Sequence, residues 1–163
     1  MPMVYQGEQF EQLMKWTVQQ RADYINTGGV KGHIMDMRFI GGYRYEPMLL
    51  LRYVGRKSGK TMIISLGYTQ FGGEIVIVGS KGGADEHPQW VHNIRAGKSL
   101  AFQIATQSFN ATWREPKDVQ EREEIWTYVI KGNPLFKAYR ANTKREIPLF
   151  LLNPLEEIPV FKE

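Results

Sequence analysis

Short apolar runs closed by glycine turns set what this chain can fold into. Met48 to Val54 is one such run, and Gly55 ends it. From Met62 to Thr69 the residues alternate, with Met62, Ile64, Leu66 and Tyr68 on one face and Ile63, Ser65, Gly67 and Thr69 on the other. A period of two is the mark of a strand. Phe71-Gly72-Gly73 signals a hairpin, and the run Ile75 to Val78 after it is expected to be buried on both faces. Leu100, Phe102 and Ile104 alternate, Thr106-Gln107-Ser108 turns, and Phe109, Ala111 and Trp113 alternate again. Ile147 to Leu152 forms a last strand. Strands joined mostly by hairpins, with few helices, predict a mainly β fold: a small antiparallel barrel with peripheral helices.

The helices are marked by a different period. An amphipathic helix is expected over about residues 8–26, with Phe10, Leu13, Met14 and Thr17 on one face and Thr27-Gly28-Gly29 as its stop. The segment through Gly41-Gly42 reads as irregular or as a short strand. Pro88 suits the first turn of a helix that carries Trp90, Asn93 and Ile94 on one face and ends at Gly97. Pro116-Lys117-Asp118 starts another, with Val119, Arg122, Trp126 and Val129 or Ile130 on its face. Asn133-Pro134 breaks it before a short helical segment with Phe136 and Tyr139. No repeat or linker divides the 163 residues, which fit one domain over 1–163.

The absence of cysteine excludes disulfides, thiolate metal sites and cysteine nucleophiles, and fits a reducing cytoplasm. No apolar run has membrane-span length, and Met1-Pro2-Met3-Val4 does not open a signal peptide. His87 and His92 stand five apart with no acidic partner, so no metal site is expected. With 21 Lys and Arg against 17 Asp and Glu, the net charge of +4 favours anionic ligands. No helix-turn-helix or zinc pattern directs that charge at nucleic acid.

Two glycine turns concentrate the basic charge. Gly55-Arg56-Lys57-Ser58-Gly59-Lys60-Thr61 packs three cations, two glycines and two hydroxyls between strand-like runs. Glycines let backbone N–H groups converge on an anion, and Arg and Lys add charge suited to phosphate. It is not a Walker A loop, because only Arg56, Lys57 and Ser58 lie between the glycines and a strand follows. The turn reads either as a phosphate clasp or as a solvated hairpin with ordinary surface lysines. Ser80-Lys81-Gly82-Gly83 is the second candidate, at a strand end and leading to the helix near Pro88. By itself it reads equally as a plain loop. The C-terminal aromatics Trp126, Tyr128, Phe136 and Tyr139 read mostly as core, with some available to wall a pocket for a flat ring.

In order, Gly55-Arg56-Lys57-Ser58-Gly59-Lys60, Gly72-Gly73, Ser80-Lys81-Gly82-Gly83-Ala84 and Pro88-x-Trp90-x-x-Asn93 resemble the deazaflavin-dependent nitroreductases, also called F-420-dependent quinone reductases. The likeness continues through Trp113-Arg114, Glu121-Arg122, Trp126, Asn133-Pro134 and Tyr139 to Arg145-Glu146-Ile147-Pro148, over roughly residues 16–153. The resemblance implies a split β-barrel that binds coenzyme F-420, a deazaflavin whose tail carries a phosphodiester and a polyglutamate chain. It implies hydride transfer from the reduced coenzyme to a quinone, nitroaromatic or activated enone. It assigns coenzyme binding to Arg56, Lys57, Ser58, Gly59, Lys60, Ser65, Leu66, Ser80, Lys81, Gly82, Gly83, Trp90 and Asn93, and catalysis to Tyr139 and Ser80. The partner it implies is a small-molecule electron acceptor, not nucleic acid. A lipophilic quinone would add peripheral membrane contact to a cytoplasmic protein, and the oligomeric state stays open. Met62 and Ser65 replace an Arg and a Pro frequent in the family, and Gly67, Asn133 and Phe136 stand where relatives often carry Tyr. Two further readings remain on the same fold: a non-catalytic carrier of the coenzyme, and an FMN-dependent oxidoreductase.

Overall fold

The computed structural model describes residues 4–97 and 99–163, and among these the chain forms eight strands and four α-helices. The strands are β1 (Ile34–Met35), β2 (Glu46–Val54), β3 (Thr61–Gly67), β4 (Thr69–Phe71), β5 (Glu74–Val78), β6 (Leu100–Ile104), β7 (Gln107–Arg114) and β8 (Leu149–Ile158). The helices are α1 (Gly7–Asn26), α2 (Gln89–Arg95), α3 (Val119–Gly132) and α4 (Leu135–Ala141). One sheet runs in the order β1-β2-β6-β7-β8-β5-β4, with β3 on β2, and every pairing is antiparallel.

That order forces curvature. β3 and β4 lie at opposite ends of the hydrogen-bonded path, yet only Tyr68 separates them in the chain. The sheet therefore curls back on itself and closes into a split barrel, with β3 approaching β5 without a ladder between them.

Both faces of the central strands are buried. Inside, Leu49, Leu51, Ile77, Phe102 and Phe150 pack with Trp90, Val91 and Ile94 of α2. On one outer face, Val76, Val78, Leu149 and Leu151 meet Ile125, Trp126 and Val129 of α3 and Leu135 and Tyr139 of α4. On another, Met48, Leu50 and Ile63 meet Tyr24 and Ile25 of α1 and Phe161. Each such side chain adds about 1.5–3 kcal/mol by leaving water. β5 is buried on both faces, as its apolar run predicts.

Several expectations need correction. α1 docks through most of the expected face, with Phe10 and Leu13 packed against the core and Thr17 half-buried, but Met14 is 47% exposed, and the helix's buried residues, Gln20, Tyr24 and Ile25, lie in its C-terminal third. Tyr24 fixes that end. Its hydroxyl reaches the carbonyls of Met48 and Gln103 (2.9 and 3.2 Å) and accepts from the Ala105 N–H (2.9 Å), which anchors the helix by its C-terminal third. The turn placed at 106–108 is instead the two-residue loop Ala105-Thr106, with Ala105 at φ 51°. Val119 is 75% exposed, the first residue of α3 after Asp118, which caps the helix by accepting from the Glu121 N–H (2.8 Å). The last strand begins at Leu149 rather than Ile147 and runs on to Ile158, past Pro154, where β7 is irregular between Phe109 and Ala111.

Candidate active site

The β2–β3 ribbon organises the site. Its register runs from Met48 opposite Gly67 to Val54 opposite Thr61, so residues 55–60 form its tip. At the other end lies a cavity of about 180 Å³. Ser65, Leu66 and Gly67 of β3 line it together with Ser80 after β5, and Asn133, Phe136 and Tyr139 close it from the α3–α4 corner. Glu46 and Met48 of β2 complete the wall. Pockets that enclose a whole drug-sized ligand measure about 300–1,000 Å³, so this cavity has room for only part of such a molecule.

Two of its polar groups stand out. The Ser65 Oγ is buried and has no hydrogen-bond partner among the described residues. A buried hydroxyl without a partner costs about 1–3 kcal/mol, which a ligand atom would relieve. Glu46 is only 4% exposed, and its carboxylate accepts from the Tyr43 N–H (3.1 Å). Burial pushes its carboxyl above the ordinary value, and the Tyr43 amide partly offsets this.

Tyr139 lines the cavity, but its hydroxyl donates to the Tyr5 hydroxyl (3.3 Å), and the two rings meet edge to face at 5.8 Å. Burial, first, and this bond drive the Tyr139 phenol far up, so it stays protonated. Ser80 opens a tight turn in which Lys81, Gly82 and Gly83 all have positive φ (46°, 61° and 78°). A lysine there is strained, and such strain collects at functional sites.

Arg145 holds that turn. It donates to the carbonyls of Gly79 (3.1 Å), Ser80 (2.8 Å) and Ala84 (2.6 Å), and its Nη1 faces His87 Nδ1 (2.8 Å). Val4 N–H takes the Gly82 carbonyl (2.8 Å) and Asn142 the Gly83 carbonyl (3.0 Å). Its carbonyls are committed to protein, and the Gly83 and Ala84 N–H groups bond within the turn to the Ser80 and Lys81 carbonyls (2.9 and 3.2 Å). A Cβ on Gly83 would lie 2.7 Å from the Tyr139 carbonyl, so α4 rather than a ligand explains that glycine. Lys81 pairs with Glu86 at the surface.

At the tip, Gly55 N–H bonds to the Lys60 carbonyl (2.8 Å) and Lys60 N–H to Ser58 Oγ (3.1 Å). Lys57, Ser58, Gly59 and Lys60 are exposed there. Arg56 is not free with them. Its backbone N–H and its guanidinium both donate to Asn93 Oδ1 (2.9 and 3.0 Å), which ties the tip to α2. Trp90 is buried beside Phe150 (5.6 Å) and stiffens α2 from the core.

The structure thus sorts the expected residues into two groups. Ser65, Leu66, Ser80 and Tyr139 share the cavity, and Lys57, Ser58, Gly59 and Lys60 share the tip. Arg56, Asn93 and Trp90 support the tip. From Ser65 to Lys60 is five residues, or about 17 Å along an extended strand. Glu46, Tyr5 and Arg145 were not assigned roles from sequence. Tyr5 and Tyr139 are 134 residues apart, so nothing local signals their contact. Glu46 left one sign: a carboxylate at the mouth of an apolar strand, just before Pro47.

A family model described as F420H(2)-dependent quinone reductase matches residues 15–154. The chain belongs to that family. An F420H(2)-dependent quinone reductase of Mycobacterium tuberculosis is 31% identical over 134 residues, covering 80% of this chain and 85% of the relative. A solved F420-H2 dependent reductase, FDR-A, matches 66% of this chain and 94% of its own, with 30% identity and a TM-score of 0.59. Another solved structure, described as a domain-swapped dimer, matches 86% of this chain and 98% of its own, with 28% identity and a TM-score of 0.62. The family resemblance read from the glycine turns is therefore correct, and the split barrel is its fold.

Proposed function

We infer that the protein binds coenzyme F-420 and uses its reduced form to reduce a quinone. When bound, the deazaflavin supplies the hydride; the protein supplies position, exclusion of water and electrostatics. The observation that carries this reading is the pairing of two sites on one ribbon. A small cavity with an unsatisfied Ser65 hydroxyl lies about 17 Å along extended strand from an exposed basic turn. A flat ring joined to a long anionic tail matches that spacing and that charge.

Ser65, Leu66 and the turn at residues 80–82 would hold the ring, and Phe136 and Tyr139 would wall it. Lys57 and Lys60 would meet the phosphodiester and the polyglutamate chain. Arg56, Asn93 and Trp90 would fix the turn that carries them. The test is consumption of reduced F-420 on adding menadione, followed by absorbance. Protein-dependent oxidation supports the reductase; tight binding without turnover would favour a carrier.

A lipophilic quinone would be met at a membrane surface. Met14, Trp16 and Val18 of α1 carry exposed apolar side chains, and Thr17 of the same helix lines the cavity. These support peripheral contact through α1, which co-sedimentation with vesicles would test.

A further inference from the structure

The reduction needs a proton as well as a hydride, and the cavity contains one group suited to give it. Tyr139 is poorly placed, because its hydroxyl donates to Tyr5 and its proton is held tightly. Ser80 is an alcohol, and Asn133 and Phe136 carry no acidic proton. Glu46 is different. It lines the same cavity, it is almost completely buried, and its one described hydrogen bond comes from a backbone amide.

We propose that Glu46 is the proton donor of this enzyme, a carboxylic acid in the cavity wall that protonates the acceptor oxygen as the hydride is delivered. The proposal rests on the F-420 reading above. The balance is simple. Hydride from the reduced coenzyme carries two electrons to the quinone, which is reduced while the coenzyme is oxidised. The O–H bond of the Glu46 carboxyl breaks, an O–H bond forms on the quinone oxygen, and the carboxylate left behind regains a proton from solvent.

The surroundings favour the protonated form of Glu46. Tyr139 faces it from α4, with Tyr5 behind, and both phenols are raised and neutral. On the β1 side, Asp36 and Arg38 neutralise each other (2.7 Å). In its own loop, Arg44 lies over the Tyr45 ring (5.4 Å) and Tyr43 contributes only its amide. From α1 and β3 come the neutral Thr17 and Ser65, while His33 precedes β1. Burial and the Tyr43 amide set the balance, and burial dominates. An acid raised towards working pH is the more effective donor.

The sign of the pH effect follows. A raised carboxyl stabilises the fold fully below its ordinary value of 4.5, and that contribution disappears as pH rises through the folded value. Glu46→Gln, neutral at every pH, should therefore melt above the wild type at neutral pH and converge with it below 4.5.

The deciding experiment combines three readouts on the full chain. Infrared difference spectra of coenzyme-free wild type against Glu46→Gln are expected to show a protonated carboxyl band that persists above pH 4.5. F-420 affinity, by fluorescence titration, is expected to be the same in both. Single-turnover oxidation of reduced F-420 by menadione is expected to slow on the order of 100-fold in Glu46→Gln, with loss of its pH dependence and partial rescue in Glu46→Asp. A carboxyl that titrates at or below 4.5, an unchanged Glu46→Gln rate, or lost coenzyme affinity with an unchanged rate at saturation would each overturn the proposal. Should Glu46→Gln not fold, the same readouts on Glu46→Asp decide: a wild-type rate and pH profile there would overturn it too. Wild-type protein that fails to bind F-420 would instead overturn the coenzyme reading, whatever Glu46 does.

Discussion

Ser65 lines the cavity, and its buried hydroxyl has no hydrogen-bond partner among the described residues. In the free protein that hydroxyl is a cost; with a ring in the cavity it becomes a bond. Ser65→Ala should therefore leave the free protein as stable or up to about 1 kcal/mol more stable, and weaken F-420 binding by about 0.5–1.5 kcal/mol. Thermal melts and a fluorescence titration read the two effects separately. Sequence motifs singled out Ser80, Lys81 and Lys57, and the structure places Ser80 at the cavity and Lys57 at the exposed tip. Residues were illegible where their role depends on partners far along the chain. Arg145 bonds carbonyls 61–66 residues away, and Tyr5 meets Tyr139 across 134. No local pattern encodes such pairs.

At the scale of elements, the β2–β3 hairpin was the most legible part. An apolar run marked β2, alternation marked β3, and glycine with a short polar run marked the tip. Its charge sets a prediction. Lys57→Ala and Lys60→Ala should each weaken F-420 binding by about 1.5–3 kcal/mol, the worth of a hydrogen bond to a charged group. The loss should shrink at high salt, because both side chains are exposed. Unchanged dissociation constants in both variants would leave the tip a plain hairpin. α1 was legible in part: Phe10 and Leu13 do pack against the core, but Met14 faces out, and the Tyr24 hydroxyl that anchors the C-terminal end carries no apolar signal. Hydrophobic periodicity weighs side chains by polarity and so undervalues a tyrosine that satisfies three backbone groups.

On the scale of the whole molecule, a charged network joins β5, β7, β8 and α3 on one flank. Arg114 of β7 donates to Glu74 of β5 (2.7 Å) and Glu121 of α3 (2.6 Å), and Asn153 of β8 also donates to Glu74 (2.7 Å). Arg114 holds both carboxyls below their ordinary value of 4.5. Lowered carboxyls give stability that is full above 4.5 and is lost as pH falls through the folded values. Melting temperature should thus drop in acid, and Arg114→Gln should flatten that limb; an unchanged acid limb would remove this network from the account. The barrel itself was legible from hairpin-linked strands, but its closure was not. Closure follows from β3 and β4 meeting at Tyr68 while lying at opposite ends of the sheet, and strand order is invisible to local patterns. The same closure places the cavity and the basic tip on one ribbon, and the function inferred here depends on that placement. The direct test is a fluorescence titration of the purified protein with F-420 and with FMN at low salt. The account expects saturable F-420 binding with FMN at least roughly tenfold weaker, a gap of about 1.4 kcal/mol; FMN binding as tightly as F-420, or more tightly, would contradict it.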